Sequence, residues 1–187
     1  MRQQSGSMLL DLIFGGAIAM MMLAMFFQVS VQVDQGRQAH REGVKLAAGA
    51  AGLQTYLAAQ GSSIVTSGTA SGFMDPYRPR IDELQAAGYL PQFVTASTPF
   101  GGALAFSVRR GVNNDLMGLA CDSSNLTQGG KPSELLAAKV MAAAGGAGLR
   151  TSAAAPSVLN GAAFQNVTSP VAGAAIVCAW SFIPNPS

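Results

Sequence analysis

Residues that carry chemistry are scarce in this 187-residue chain. It has one histidine, His40, and two cysteines, Cys121 and Cys178, with no C-x-x-C spacing. A metal centre draws several His, Cys or carboxylate ligands together, so none is expected. Charged residues make up 11% of the chain and the formal net charge is +2. That balance lacks the basic footprint of a nucleic-acid binder, so no nucleic-acid partner is expected. Despite 22 glycines, no phosphate-binding glycine pattern follows an expected strand. Acid–base or nucleophilic catalysis needs a positioned base or an activated nucleophile. His40 lies in AHREG, which reads as a polar, solvent-facing stretch, and Asp82 and Glu83 read as the first turn of a short helix. The expectation is a protein without enzymatic activity and without a cofactor. Proline is also missing before Pro76, which removes the strongest helix breaker from the first 75 residues.

What is present is apolar length. From Leu12 to Val33 no residue is charged, and LIFGGAIAMMMLAMFF is continuously apolar or glycine. At about 1.5 Å per residue this run crosses the ~30 Å hydrocarbon core of a bilayer. It is longer than the apolar part of a cleaved secretory signal, and no small-residue cleavage box follows it. Gly15-Gly16 and the cluster Met20, Met21, Met22 and Met25 suit close, adaptable helix contacts. Beyond the run, Leu46, Ala50, Leu53 and Leu57 recur at helical spacing, so a single helix continues into a stem with one apolar stripe. Gly61-Ser62-Ser63 is its expected stop. One carboxylate, Asp11, interrupts the apolar start. A charge at the centre of a membrane helix costs about 2.5–3.5 kcal/mol, so a partner for it is expected unless it snorkels to the headgroups.

The head of the chain, MRQQSGSMLLD, resembles the class III signal of a type IV prepilin: a short polar leader, a glycine, an apolar start and a carboxylate at the fifth position after that glycine. The resemblance implies cleavage after Gly6 by a prepilin peptidase and methylation of the new N-terminus, Ser7. Asp11 then stands where the family usually has glutamate. In the family's filaments this carboxylate meets the α-amine of a neighbouring subunit, so that two charges costly alone satisfy each other in an apolar bundle.

Further along, LQAAGYLPQF after the stem and a Ser/Thr-rich linker resembles the constant region of PilV-type minor pilins of type IVb thin pili. Read by itself, GYLP is a helix stop with a tyrosine and a leucine packed beneath it. IDELQAA is a short helix ended by Gly88. ALAFSVRR (103–110) and LMGLAC (116–121) read as strands of a hairpin joined by GVNND. KPSELLAAKVMAAAGGAG reads as a helix with Pro132 in its first turn, Glu134 near its start and Gly145-Gly146 at its end. AGAAIVCAWSFI (172–183) is a last strand, with Cys178 and Trp180 on one face. The two cysteines are either one disulfide or two separate buried thiols; the resemblance implies the disulfide, which frames the C-terminal region of type IVb pilins.

The expected architecture is therefore α+β, a type IV pilin fold with a long N-terminal helix on a small antiparallel sheet. Residues 1–6 are the leader, 7–60 the helix (7–33 transmembrane, 34–60 stem) and 61–187 the globular domain. The resemblance implies a minor, PilV-like subunit at the start or tip of a thin pilus used in conjugation or adhesion. The alternatives are a major pilin and an unprocessed, single-pass periplasmic binding domain. Implied partners are other pilin subunits, the prepilin peptidase and the inner membrane before export to the pilus. A recipient-cell surface ligand is a further implied partner, read by a variable C-terminal region that in this family extends beyond the length seen here.

Overall fold

A computed structural model describes the backbone of residues 5–186 and the side chains from residue 13 onward. The protein is α+β, with one long helix and an antiparallel sheet. The helix, α1, runs Ser5–Ser67. Contacts divide the chain into two compact units, Met1–Arg37 and Gln38–Ser187.

In the first unit, the side chains from Ile13 to Val33 are all exposed, Phe26 at 73% and Met20 at 76%. Nothing lies within 4 Å of where a Cβ on Gly15 or Gly16 would be. This apolar segment has a mean hydropathy of 1.8 and is long enough to cross a membrane.

In the second unit, α1 supplies one wall of the core. Ala39, Leu46, Ala50, Leu53, Tyr56, Leu57, Ile64 and Val65 are buried in one cluster with the sheet. Steps of three, four and seven keep these positions on one helix face. The stripe does not stop at Gly61. Gly61 lies under Pro186 and Leu116, and Ile64 and Val65 continue the buried face, so the helix runs one turn past the stop expected from GSS. It ends instead at Gly68, whose φ of +68° lets its N–H bond the Ile64 carbonyl at 3.1 Å. A left-handed residue with that bond is a common helix terminator, and glycine adopts it without steric cost.

The short helix α2 is Ile81–Ala86. Glu83 closes its start by accepting the Arg80 N–H at 2.8 Å and also the Met74 N–H at 3.0 Å. It thereby ties the preceding loop to the helix. The GYLP turn that follows packs against α1: Leu90 is buried beside Gly52. Tyr89 joins Tyr56 and Phe73 in an aromatic cluster, with Tyr56 and Phe73 ring centroids 4.6 Å apart.

The main sheet has six antiparallel strands: β1 Leu104–Arg110, β2 Leu116–Asp122, β5 Gly148–Arg150, β6 Val158–Gly161, β7 Val167–Thr168 and β8 Val177–Ile183. Their spatial order is β1-β2-β8-β5-β6-β7, so the last strand enters the middle of the sheet. A separate small hairpin joins β3 Thr127–Gln128 to β4 Lys131–Pro132. Because Pro132 is paired with Thr127 in that hairpin, it is not in the first turn of α3 (Glu134–Ala143) as expected. Ser133 takes the cap instead, its Oγ accepting the Leu136 N–H at 3.3 Å.

Alternation along the strands gives the sheet two apolar faces. Phe106, Val108, Ala120, Val177 and Ala179 belong to the cluster that includes α1. Leu119, Cys121, Cys178, Leu149 and Leu159 form a second cluster with Phe164, Val167 and Trp180. The sheet curls around this second cluster.

The junction of α1 and α3 depends on Gly43. A Cβ there would lie 2.5 Å from both the Ala143 Cβ and the Val140 carbonyl oxygen, and a backbone atom has little freedom to yield. Gly43→Ala is expected to destabilise the protein by about 1–3 kcal/mol through overpacking, measured as a lowered denaturant midpoint. Gly15→Ala, in open surroundings, should leave that midpoint unchanged.

Candidate functional site

Three of the residues singled out from sequence, Gly6, Ser7 and Asp11, have backbones within α1; their side chains, and the leader residues 1–4, lie outside the described residues. The segment they precede is the largest exposed apolar feature described, Ile13–Val33. Leaving such area in water is unfavourable by roughly 25 cal/mol per Å². Its length and apolar character are those of a helix able to cross a membrane.

The two cysteines form a disulfide. Cys121 of β2 and Cys178 of β8 are direct cross-strand neighbours, and both are fully buried in the second cluster. Trp180, two residues on, shares that face as expected and packs edge-on against Phe164 at 4.6 Å. The bond fastens the C-terminal strand into the centre of the sheet, behind the face that carries α1.

His40 is exposed, but the stretch around it is not uniformly solvent-facing. Glu42, two residues on, is fully buried. It lies one turn before Leu46 on the buried stripe, and extending the Leu46–Ala50–Leu53 spacing backwards would have found it. Among the described residues, neither of its carboxylate oxygens has a hydrogen-bond partner. Asp122, at the end of β2, is also fully buried. Its Oδ1 accepts the Ser124 N–H and hydroxyl, each at 2.9 Å, while Oδ2 has no partner. Burial first, and then the Asp122 charge, push the Glu42 carboxyl up to about 7. Lys45, one turn along α1, opposes the shift, but its ammonium is held by the Thr95 hydroxyl and the Ser97 carbonyl. Burial likewise raises the Tyr56 phenol above its ordinary value, helped by the Glu83 charge; its hydroxyl donates to the Pro76 carbonyl at 3.1 Å.

Among the described residues, no three or more His, Cys, Asp or Glu side chains are grouped as a metal ion would require. A groove of about 730 Å³ runs beside α1, between Arg41, Val44 and Lys45 and the loop that carries Phe93 and Pro99.

Comparison with known proteins finds no matching family model, no matching curated sequence and no matching solved structure.

Two outcomes are expected. Replacing both cysteines by serine should lower unfolding free energy by about 2–5 kcal/mol, since the bond joins residues 57 apart and constrains the unfolded chain; chemical denaturation measures it. For Glu42, a carboxyl whose folded value is raised favours folding while protonated, so stability is greatest below about pH 4.5 as far as this group is concerned. It falls as pH rises through 7, by about 3 kcal/mol at most. Glu42→Gln cannot ionise, so the variant should lose that slope and exceed the wild type in stability at pH 8. Thermal unfolding across pH 5–8 tests the sign.

Proposed function

We propose that this chain is a type IV pilus subunit, a minor, PilV-like pilin that starts or tips a type IVb thin pilus. The observation that carries the reading is that one helix, α1, bears two different apolar surfaces. Residues 13–33 are exposed throughout, whereas from Ala39 to Val65 one stripe of the helix (Ala39, Leu46, Ala50, Leu53, Tyr56, Leu57, Ile64 and Val65) is buried against the sheet of the second unit. A membrane anchor needs only the first. A subunit that moves from membrane to filament needs a segment that is equally content in lipid and among copies of itself, fixed to a domain that stays folded outside the cell.

The sequence of events in this proposal combines those surfaces with what the resemblance of the N-terminus implies. Before assembly, residues 13–33 sit in the inner membrane, whose hydrocarbon covers them. A prepilin peptidase removes residues 1–6 after Gly6 and leaves Ser7 with a free, then methylated, amine. In the filament, neighbouring apolar helices replace lipid, and small residues such as Gly15 and Gly16 permit close approach. Asp11 pairs with the amine of an adjacent subunit, so a helix out of register leaves a charge unpaired in an apolar bundle. The Cys121–Cys178 bond protects the domain that is left outside.

The test is intact mass and N-terminal sequence of the membrane-extracted protein, expressed with and without its prepilin peptidase. A terminus at Ser7 only in the presence of the peptidase is the expected result. A retained leader beside an active peptidase would make the chain a single-pass anchor with a binding domain. Trace abundance in sheared pili is expected of a minor subunit, and thousands of copies per filament would make it the major one. Asp11→Ala should leave thermal unfolding of the second unit unchanged and abolish incorporation into pili; incorporation at the wild-type level would remove the role given to Asp11.

A further inference from the structure

A second groove, of about 580 Å³, opens at the edge of β1 that faces away from β2. Its walls are Tyr77 and Arg78 from the loop before α2, Ser107 and Arg109 on β1, and Pro170 and Val171 after β7. The size lies within the range of small-molecule sites. What distinguishes it is a surplus of donors.

The backbone contributes one of them. Leu104 donates its N–H to the Ala96 carbonyl and Val108 donates to the Tyr77 carbonyl, each at 2.7 Å, so the even-numbered amides of β1 point away from β2. Alternation in an antiparallel strand places the Phe106 N–H on the same open edge. Phe106 lines the groove, and among the described residues no backbone carbonyl meets its N–H.

The side chains add three more donors. Ala105, Ser107 and Arg109 share one face of β1, opposite the buried Leu104, Phe106 and Val108. The Ser107 hydroxyl, on a residue that lines the groove, is shielded from solvent and has no hydrogen-bond partner among the described residues. Arg78 and Arg109 both line the groove, and neither takes part in an ion pair among the described residues. Among the described residues, no carboxylate side chain lines the walls. An amide, a hydroxyl and two uncompensated guanidiniums in one concavity match an anion with several oxygens, because planar guanidinium forks bind such groups through paired hydrogen bonds.

We propose that this groove binds a phosphate monoester, with Arg78 and Arg109 gripping the phosphoryl oxygens and the Phe106 N–H and Ser107 hydroxyl completing the donor set. Two unpaired cations suit a dianion better than a single carboxylate. The ester is carried by a small polar molecule or by a lipid headgroup, since the phosphoryl group is common to both. The proposal does not depend on the pilus reading.

The experiment uses the full chain in nanodiscs of phosphatidylcholine. Calorimetry follows titration with glucose 6-phosphate, with glucose and with sodium chloride as controls; a second arm measures capture of the nanodiscs by vesicles containing phosphatidic acid. Saturable binding of glucose 6-phosphate, with none of glucose, is expected if the source is soluble. Capture by phosphatidic acid without binding of the free ester is expected if it is a headgroup. In either case Arg78→Gln and Arg109→Gln should each weaken binding by about tenfold or more, and Ser107→Ala by less, with unchanged thermal unfolding. Binding in neither arm, or binding that survives loss of both arginines, overturns the proposal.

Discussion

The second unit depends on the burial of one face of α1 against the antiparallel sheet. That helix carries its own backbone hydrogen bonds but cannot hide its apolar stripe alone, and most helical stability in proteins comes from such packing. The sheet has the matching need, since one of its faces would otherwise leave Phe106, Val108, Ala120 and Ala179 in water. Close approach is set by glycine: Gly43 admits α3, and Gly52 admits Leu90 of the GYLP turn. The helix therefore organises the strands and the loops on both sides of it.

The opposite face of the sheet solves its problem differently. Among the described residues no α-helix contributes to its apolar cluster. The sheet curls, and Phe164, Val167 and Trp180 close over Leu119, Leu149, Leu159 and the Cys121–Cys178 bond. Because β8 is the last strand in sequence and third in spatial order, the chain must thread its end between β2 and β5. A covalent tie to β2 at that position limits how far the terminal strand can part from the sheet.

Glu42 and Asp122 stand apart from this apolar logic. Two buried carboxylates at the junction of helix and sheet, with three oxygens unpartnered between them, are an unusual thing for a small core to retain. Burial, and then the Asp122 charge, raise the Glu42 carboxyl to about 7, so that a proton is held there up to near neutrality. The basic groove at the edge of β1 lies elsewhere on the sheet and involves neither residue.

The sequence by itself determined the elements with strong local signals. The proline-free apolar run required a long helix, strict spacing named Leu46, Ala50, Leu53 and Leu57 as its buried stripe, and GVNND between two alternating segments marked the β1–β2 hairpin. The helix α2, and the end of α3 near Gly145, were legible from their glycine stops. Where local signals were weak, tertiary contacts decided. The helix passed Gly61 because Ile64 and Val65 had a sheet to bury against, and Pro132 entered a hairpin that its own sequence did not announce. Strand order, the curl, the pairing of two cysteines 57 residues apart and the gathering of Arg78 and Arg109 into one groove all rest on contacts between distant residues. Periodicity reports which face of an element is apolar; only the fold decides what that face meets.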